Sequence, residues 1–387
     1  IGFLFQPMRH DEAFTYTNYA SKPLVLALSN YSFPNNHLFH TFLVHLATAC
    51  FGNHPWAIRF PAFLAGILLV PAVYLVIRTL YDKHAALLTA GLVASSSALV
   101  EYATNARGYA LIGLFFFLLI GLGDYLKKTS NPAAWLLFVL LSSLGFYTVP
   151  VMLYPFGVVA LWLMLSARGG GPKVSPITFL KHLLIATLST VLLTSLFYLP
   201  VISGSGLDAI TANRFVVSRT WPSFLHNLPL RLRETWTQWN MGYSDALSLL
   251  LATGVLAALC LPKRLAGRRF PLILAAALWT LASIAIQRVA PPARVWLFFL
   301  PLYFGLAAVG LSLALRYIPT MRSTVVALAT VVLTLWTGAS AISPLTEYYP
   351  YGPGTLKDAE QITLYLKDHL QSGDRVLTIA TAAPLEY

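Results

Sequence analysis

Ten apolar segments of roughly membrane-spanning length constrain the fold of this chain more than any other feature. A helix needs about 20 apolar residues to cross the hydrocarbon of a bilayer, because each residue advances it by about 1.5 Å. Charged residues make up only 10% of the chain, against about 25% in soluble proteins. The sequence therefore predicts an all-α polytopic membrane protein. The segments run 57–77, 85–101, 108–126, 133–148, 150–167, 179–200, 245–261, 271–287, 293–315 and 323–341.

Basic residues in the short connectors indicate how these segments are oriented. Successive connectors lie on alternate sides of the membrane and so form two sets. One set holds thirteen basic residues, and the other set holds Arg107, Arg288 and Arg294. Short loops rich in Lys and Arg stay in the cytoplasm, so the larger set is expected there. The long loops 6–56 and 201–244 and the C-terminal tail then lie outside. The larger set comprises Arg78, Lys83, Lys127, Lys128, Arg168, Lys173, Lys181, Lys263, Arg264, Arg268, Arg269, Arg316 and Arg322.

Changes in composition divide the chain into three parts. Residues 1–56 are expected to hold the end of a first transmembrane helix and an extracytoplasmic loop with a juxtamembrane helix. Residues 57–341 form a transmembrane bundle of about ten helices. Residues 342–387 begin an extracytoplasmic α/β domain, in which the helical DAEQITLYLKDHL precedes a predicted strand, RVLTIAT. Both ends of the chain resemble interrupted elements, so we expect it to be part of a longer protein.

The segment NHLFHTFLVHLATACF at 36–51 decides the topology, because a span here would reverse every later helix. At about 100° per residue, His37, Thr41 and His45 lie on one polar stripe, with His40 at its edge. Leucine, phenylalanine and cysteine cover the other side. This pattern predicts an amphipathic helix that lies in the membrane interface rather than a span.

The predicted outer surface combines an acidic pair with several arginines. Asp11 and Glu12 are adjacent, although the chain has only 14 acidic residues. Arg107, Arg288 and Arg294 lie at helix ends beside the hydrocarbon, where a guanidinium must snorkel or bind an anion. Its forked donors match a phosphate. This combination suits displacement at a sugar carbon with a lipid phosphate leaving: the carboxylate accepts the proton and the arginines stabilise the departing charge.

Four elements follow one another over most of residues 8–340. They are a DE pair in the first outer loop, a juxtamembrane helix ending in FG, the segment RFPAFLAGILLVPAVYLVIRTLYDKHAALL, and an ARGYAL segment. This order resembles the GT-C glycosyltransferases that use polyprenyl-phosphate sugars, such as protein O-mannosyltransferases and the aminoarabinose transferase of lipid A. The resemblance implies a GT-C-like helical bundle and an inverting reaction. It also implies that Asp11 is catalytic, with Glu12 beside it.

The resemblance further implies that basic residues at outer helix ends hold the lipid phosphate. Family members often carry an HPP-like or EKP-like stretch before the juxtamembrane helix, whereas this chain has PNNH at 34–37 without a lysine. His37 opens the helix nearest the acidic loop, and Glu101 ends a span on the outer side, so both are candidates for contact with the sugar or the acceptor. The candidates for donor binding are Arg107, Arg294, Arg59, Arg288 and Tyr109.

Each of these residues also has a structural explanation. Asp11 suits a helix N-terminus, arginines at helix ends often anchor a span in the interface, and Glu101 suits an ion pair. The histidines at 37, 40 and 45 can line a polar face without a metal. The sequence specifies no cofactor, although a divalent metal stays open.

Two other functions stay open from the sequence. One is a lipid or polysaccharide transporter or flippase, which would also use outer arginines but would not need Asp11. The other is an enzyme resembling O-antigen ligases or polymerases, with its catalytic residue in a late outer loop. The basic patch of a nucleic-acid-binding protein is missing. The expected partners are a polyprenyl-phosphate sugar, an extracytoplasmic acceptor and membrane lipids, in a bacterial or archaeal plasma membrane.

Overall fold

The computed structural model describes residues 2–168, 175–211, 217–260, 270–314, 322–343, 356, 358–378 and 382–387. Regular structure in these ranges is entirely helical. A π-helix, Tyr16–Ala20, continues α1, and three 3-10 helices lie at Gly2–Phe5, Pro150–Met152 and Ala293–Phe299. The α-helices are α1 (His10–Thr15), α2 (Leu24–Ser29), α3 (Leu38–Phe51), α4 (Pro55–Leu80), α5 (Lys83–Ser95), α6 (Ser97–Ala103), α7 (Tyr109–Leu126), α8 (Pro132–Thr148), α9 (Leu153–Arg168), α10 (Pro176–Ser205), α11 (Asp208–Thr211), α12 (Trp221–Trp239), α13 (Asp245–Cys260), α14 (Phe270–Gln287), α15 (Leu300–Ala314), α16 (Arg322–Ser343), α17 (Ala359–His369) and α18 (Ala382–Glu386).

The predicted all-α membrane architecture is confirmed. Within the described ranges, six helical segments are long and apolar enough to cross a membrane, and α5 with α6 forms a seventh if the pair counts as one span bent by 60°. Helices α8, α13 and α14 coincide with the other three predicted segments. The apolar helix at each of these places has at most 17 residues, which is shorter than any of the six. The six are Pro55–Leu80, Tyr109–Leu126, Pro150–Ala167, Pro176–Ser205, Ala293–Leu313 and Ser323–Ser340.

Helix α4 has many neighbours in the bundle, where it packs against α3, α5 and α7. Its Val73 is fully buried in the same core as Phe116 and Phe117 of α7. Lipid tails are as apolar as these side chains, so van der Waals contact and small residues drive such packing in a membrane. A Cβ added to Gly66 would lie 2.5 Å from the Cβ of Ala103. This close approach of α4 to α6 places the chain that follows α6, including the ARGYAL segment.

Helix α3 is amphipathic, and its polar stripe faces the protein. His40 and Thr41 are fully buried, and Val44 is nearly so. Leu46 and Phe51 are 44% and 47% exposed on the opposite side. The helix has 14 residues, fewer than a span needs. The geometry fits the predicted interfacial helix, while its orientation in a membrane stays a prediction.

The C-terminal α/β domain is not confirmed. Helix α17 forms within the predicted helical segment, but residues 375–378 of the predicted strand have no regular structure, and 379–381 lie outside the described residues. A strand is stable only when a neighbouring strand satisfies its backbone groups, and the described ranges contain no partner strand. The short α18 instead packs against α1, with Ala383 2% exposed.

The charge-based orientation also stays a prediction. Several basic connector residues on which it rests lie outside the described residues, namely Lys173, Lys263, Arg264, Arg268, Arg269 and Arg316.

Candidate active site

The acidic pair lies on α1, a short helix that becomes a π-helix at Tyr16. Consecutive helical residues point about 100° apart, so the two carboxylates enter different surroundings. Glu12 is fully buried, whereas the side chain of Asp11 is 50% exposed. Irregular helical turns of this kind are frequent at functional sites.

The Glu12 carboxylate is held by four hydrogen bonds. Arg59 donates from Nε to Oε1 at 2.9 Å and from Nη2 to Oε2 at 2.7 Å. The backbone N–H groups of Arg9 and Ala106 add bonds of 3.0 Å and 2.7 Å. Burial alone would raise the pKa of Glu12, but Arg59 and these N–H groups outweigh it and hold that pKa below its usual value.

Arg59 is fully buried as well, and its remaining donors bind backbone carbonyls. Nη1 donates to Leu4 and Gln6 at 2.8 Å and 2.7 Å, and Nη2 donates to Pro7 at 2.9 Å. All five N–H groups of a guanidinium are therefore engaged. We call Glu12 and Arg59 the sealed group. Its geometry favours a structural role over the catalysis and phosphate binding suggested by the sequence.

Asp11 belongs to a second, more accessible arrangement. Its Oδ2 forms an ion pair with Nη1 of Arg107. The Arg107 guanidinium lies 5.5 Å from the centre of the Tyr109 ring, and Arg294 donates from Nε to the Tyr109 hydroxyl at 3.2 Å. Asp11 also lies within electrostatic range of Arg294. The structure thus brings these predicted residues together, although they come from three separate parts of the sequence.

His37 completes this arrangement from the start of α3. Its Nδ1 accepts a hydrogen bond of 2.8 Å from the backbone N–H of Gly108, so the ring proton lies on Nε2. The ring meets Tyr109 edge-on, with centroids 5.2 Å apart. Burial, with help from the positive charge of Arg107, lowers the pKa of His37 well below its usual value. We call Asp11, Arg107, Tyr109, Arg294 and His37 the open group.

Two asparagines of the PNNH stretch, which the sequence reasoning missed as site residues, fix the elements around Asp11. The Asn35 amide donates to the Asp11 carbonyl at 3.0 Å and to Thr15 Oγ1 at 2.9 Å. Thr15 Oγ1 donates to the same carbonyl at 2.7 Å. Asn36 donates to the carbonyls of Ala27 and Asn30. The unusual PNNH sequence was the available signal, but it did not indicate these partners.

His40 is fully buried on the inner face of α3. Neither ring nitrogen has a hydrogen-bond partner among the described residues. Burial, together with the charge of Arg107, lowers the pKa of His40 to about 3, although Glu12 opposes this shift. His40 is therefore neutral in the folded protein at neutral pH.

The two remaining predicted residues lie outside the open group. Glu101 forms an ion pair of 2.7 Å with Arg9. Arg288 follows α14 with a φ of 50°, and its carbonyl accepts a hydrogen bond of 3.1 Å from Arg219. Within the described ranges its side chain makes no bond with the open group. These ranges also contain no cluster of three or more His, Cys, Asp or Glu side chains suited to a metal.

The arrangement can be compared with known proteins. Residues 35–195 match the family model described as dolichyl-phosphate-mannose-protein mannosyltransferase. No curated protein matches the sequence. Among solved structures, ArnT from Cupriavidus metallidurans in the apo state is 13% identical with a TM-score of 0.68, covering 99% of this chain and 81% of that one.

Two further structures match. ArnT from the same organism bound to undecaprenyl phosphate is 14% identical with a TM-score of 0.63, covering 100% of this chain and 83% of that one. An oligosaccharyltransferase from Archaeoglobus fulgidus, tethered with an acceptor peptide, is 14% identical with a TM-score of 0.56. That match covers 95% of this chain and 54% of the other, so the chain spans about half of that enzyme.

These matches confirm the resemblance to GT-C glycosyltransferases that the order of sequence elements indicated. At 13–14% identity the structural matches establish a shared fold. The family match covers residues 35–195, which is less than half of the chain, and the apolar helices fit the membrane architecture of the shared fold.

Proposed function

We propose that this protein transfers a sugar from a polyprenyl-phosphate carrier to a hydroxyl of an extracytoplasmic acceptor, which is a protein, a lipid or a glycan. The observation that carries the proposal is the half-exposed Asp11 carboxylate beside Arg107, with Tyr109 and Arg294 next to them. A base beside phosphate-binding groups is the combination that such a displacement needs.

Asp11 is the proposed general base. The acceptor oxygen attacks the anomeric carbon and loses its proton to the Asp11 carboxylate, while the bond from that carbon to the phosphate oxygen breaks. The electron pair leaves with the phosphate, whose negative charge Arg107 and Arg294 stabilise. Attack and departure on opposite faces invert the anomeric configuration.

The ion pair between Asp11 and Arg107 fits a site that exchanges partners. An arriving phosphate competes for the Arg107 donors, because a guanidinium binds a phosphate with paired hydrogen bonds. Asp11 then has an oxygen free for the acceptor hydroxyl. The sealed group cannot exchange in this way without leaving a buried charge unpaired, so we assign Glu12 and Arg59 to holding α1 in place.

An apolar groove near the open group suits the carrier's hydrocarbon chain. It has a volume of about 310 Å³ and lies between α3, α4 and α7. Leu111 in its wall lies in the first turn of α7, which begins at Tyr109, so the groove reaches the end of α7 that carries the open group. Several wall side chains are exposed at the outer surface of the helices, which suits lateral entry from the membrane. The wall includes Leu46, Phe51, Leu64, Leu68, Leu111 and Leu114.

The test compares the wild type with Asp11→Asn in nanodiscs, using a panel of polyprenyl-phosphate sugars and acceptors. Transfer should fall by about 10²-fold or more while donor binding is retained, because the variant cannot accept a proton. Asp208→Asn, at an exposed acid of the outer loop, is the matched control and should transfer normally. Equal transfer by Asp11→Asn and the wild type would remove Asp11 from the chemistry. A wild type that translocates lipid without transferring sugar would favour the transporter alternative.

A further inference from the structure

A second group of side chains lies beyond the contact between Arg294 and Tyr109. It is formed by the C-terminal end of α12, the turn that follows it and the first turn of α15. We call it the aromatic cluster. Its members are Gln238, Trp239, Asn240, Tyr243 and Tyr303.

Ring contacts and a tight turn hold the aromatic cluster together. The rings of Trp239 and Tyr303 lie 5.7 Å apart. After α12 the chain turns back, with a bond of 2.9 Å from the Tyr243 N–H to the Asn240 carbonyl. Gly242 has a φ of 81° in this turn, a conformation that glycine adopts without steric cost. The Tyr243 phenol thereby comes within range of the Tyr303 phenol.

Two contacts, which run through Tyr102, connect the aromatic cluster to Tyr109 of the open group. Gln238 Nε2 lies 3.4 Å from the Tyr102 hydroxyl, to which it donates. Tyr102 meets Tyr109 edge-on, with ring centroids 5.5 Å apart. Arg294 binds the Tyr109 hydroxyl at 3.2 Å. The cluster is therefore adjacent to the residues proposed to hold the donor phosphate.

The cluster also contains buried polar atoms that lack partners. In the described part of the chain, four of them have no hydrogen bond, not counting Tyr243 Oη, which has the Ser96 hydroxyl as a neighbour. Leaving such an atom unsatisfied is unfavourable, so a concentration of them indicates a missing ligand or ordered water. The residues themselves are partly exposed, which leaves parts of their side chains accessible. The four atoms are Gln238 Oε1, Trp239 Nε1, Asn240 Oδ1 and Tyr303 Oη.

The chemistry of the cluster suits a neutral ring that carries hydroxyl groups. A sugar presents apolar C–H groups that can cover an aromatic face, and hydroxyls that both donate and accept hydrogen bonds. Trp239 and Tyr303 supply ring faces and N–H or O–H donors. Gln238 and Asn240 supply amide oxygens as acceptors. No member of the cluster is charged, so a second phosphate or an acidic group would find no countercharge within it.

We propose that the aromatic cluster is the subsite for the sugar ring of the donor. This inference rests on the function proposed above. The donor is favoured over an acceptor saccharide because its sugar is bonded to the phosphate, and the cluster is contiguous with the proposed phosphate group through Tyr102 and Tyr109.

The experiment measures binding of two lipids to the whole chain in nanodiscs: a polyprenyl-phosphate sugar that the wild type transfers, and the same polyprenyl phosphate without its sugar. Trp239→Ala should weaken binding of the first lipid by about tenfold, which corresponds to about 1.4 kcal/mol. Binding of the bare lipid should change less than about twofold. Trp239→Phe keeps a ring and should recover part of the loss. Trp221→Ala, at an exposed tryptophan of the same helix, is the matched control.

Other outcomes overturn the inference. Equal weakening of both lipids by Trp239→Ala would mean that Trp239 supports the phosphate site or the fold. Unchanged binding of both lipids would also exclude the subsite, and a raised KM for the acceptor in that case would assign the cluster to the acceptor. The inference can fail in these ways while Asp11→Asn still abolishes transfer, and a wild type that transfers no sugar instead removes the proposed function.

Discussion

Asp11 and Glu12 are neighbours in the chain, and each pairs with an arginine, but their surroundings differ sharply. Glu12 and Arg59 are fully buried and share two hydrogen bonds, with further bonds to backbone groups on both sides. Asp11 is half exposed and pairs with an arginine that has other neighbours. The first pair has no room to exchange its partners, whereas the second pair is accessible to other partners, as the proposed function requires.

This comparison teaches that an acidic pair need not be a catalytic pair. The bonds of the sealed group reach the 3-10 helix Gly2–Phe5, the start of α1, α4 and the segment before Arg107. The sealed group therefore fixes these four elements relative to one another. The open group lies on the frame that results. One carboxylate thus holds the neighbouring elements in place, and the next one is left half exposed.

The largest expected effect is on the sealed group. Glu12→Gln leaves the Arg59 charge buried without its partner, which should lower the free energy of unfolding by about 3–5 kcal/mol. Thermal unfolding in detergent measures this loss. The double variant Glu12→Gln with Arg59→Met removes both charges and should recover much of the stability. If Glu12→Gln were as stable as Asp11→Asn, the distinction between the two groups would fail.

The burial of His40 should make the free energy of unfolding depend on pH. His40 has a pKa of about 3 in the fold and about 6.5 when unfolded, so only the unfolded chain takes up its proton between these values. Stability is retained above pH 6.5 and falls below it, by about 2 kcal/mol at pH 5 from His40. His40→Asn should remove this part of the pH dependence, and His226→Asn, at an exposed histidine, should not. A wild type whose thermal midpoint is constant from pH 7 to 5 would contradict the expectation. His37 contributes in the same direction.

A smaller effect, on kcat, is expected at Asn35, which binds the backbone of α1 beside the open group. Asn35→Asp replaces the amide that donates to the Asp11 carbonyl with a carboxylate that repels it. The change should misplace α1 and lower kcat by about tenfold, the equivalent of one hydrogen bond, with little change in the KM for the donor. Thr15→Ser keeps the hydroxyl and should retain activity. A rise in the donor KM at unchanged kcat would point to a binding role for Asn35.

The smallest effect is expected at Glu101. Its ion pair with Arg9 is partly exposed, so Glu101→Gln should cost about 1 kcal/mol of stability or less. Transfer should stay within about twofold of the wild type. The sequence also suggested a sugar or acceptor contact at Glu101, and a loss of transfer without a change in thermal midpoint would restore that assignment.

Local patterns in the sequence predicted much of the fold. Each of the ten apolar segments coincides with helical structure in the described residues, because a membrane-spanning helix must be predominantly apolar. Among these helices, only six or seven are long enough to count as spans. The 100° periodicity of residues 36–51 predicted an amphipathic α3. Tertiary contact decided which face of α3 meets the protein, and it places the polar stripe with His40 and Thr41 inside. The predicted C-terminal strand was not confirmed, since periodicity cannot supply a neighbouring strand.

The sequence by itself determined a set of candidates for one predicted outer site. The set held Asp11, Arg107, Tyr109, Arg294 and His37, but also Glu12, Arg59, Arg288 and Glu101. Only the tertiary structure decided which acid is accessible. The bonds that seal Glu12 reach residues 47 and 94 positions away, and no local pattern encodes such a pairing. The bonds of Asn35 and the unpaired atoms of the aromatic cluster depend on the same long-range packing. Hydropathy and periodicity describe a helix by itself, whereas a site is defined by what several helices place against one another.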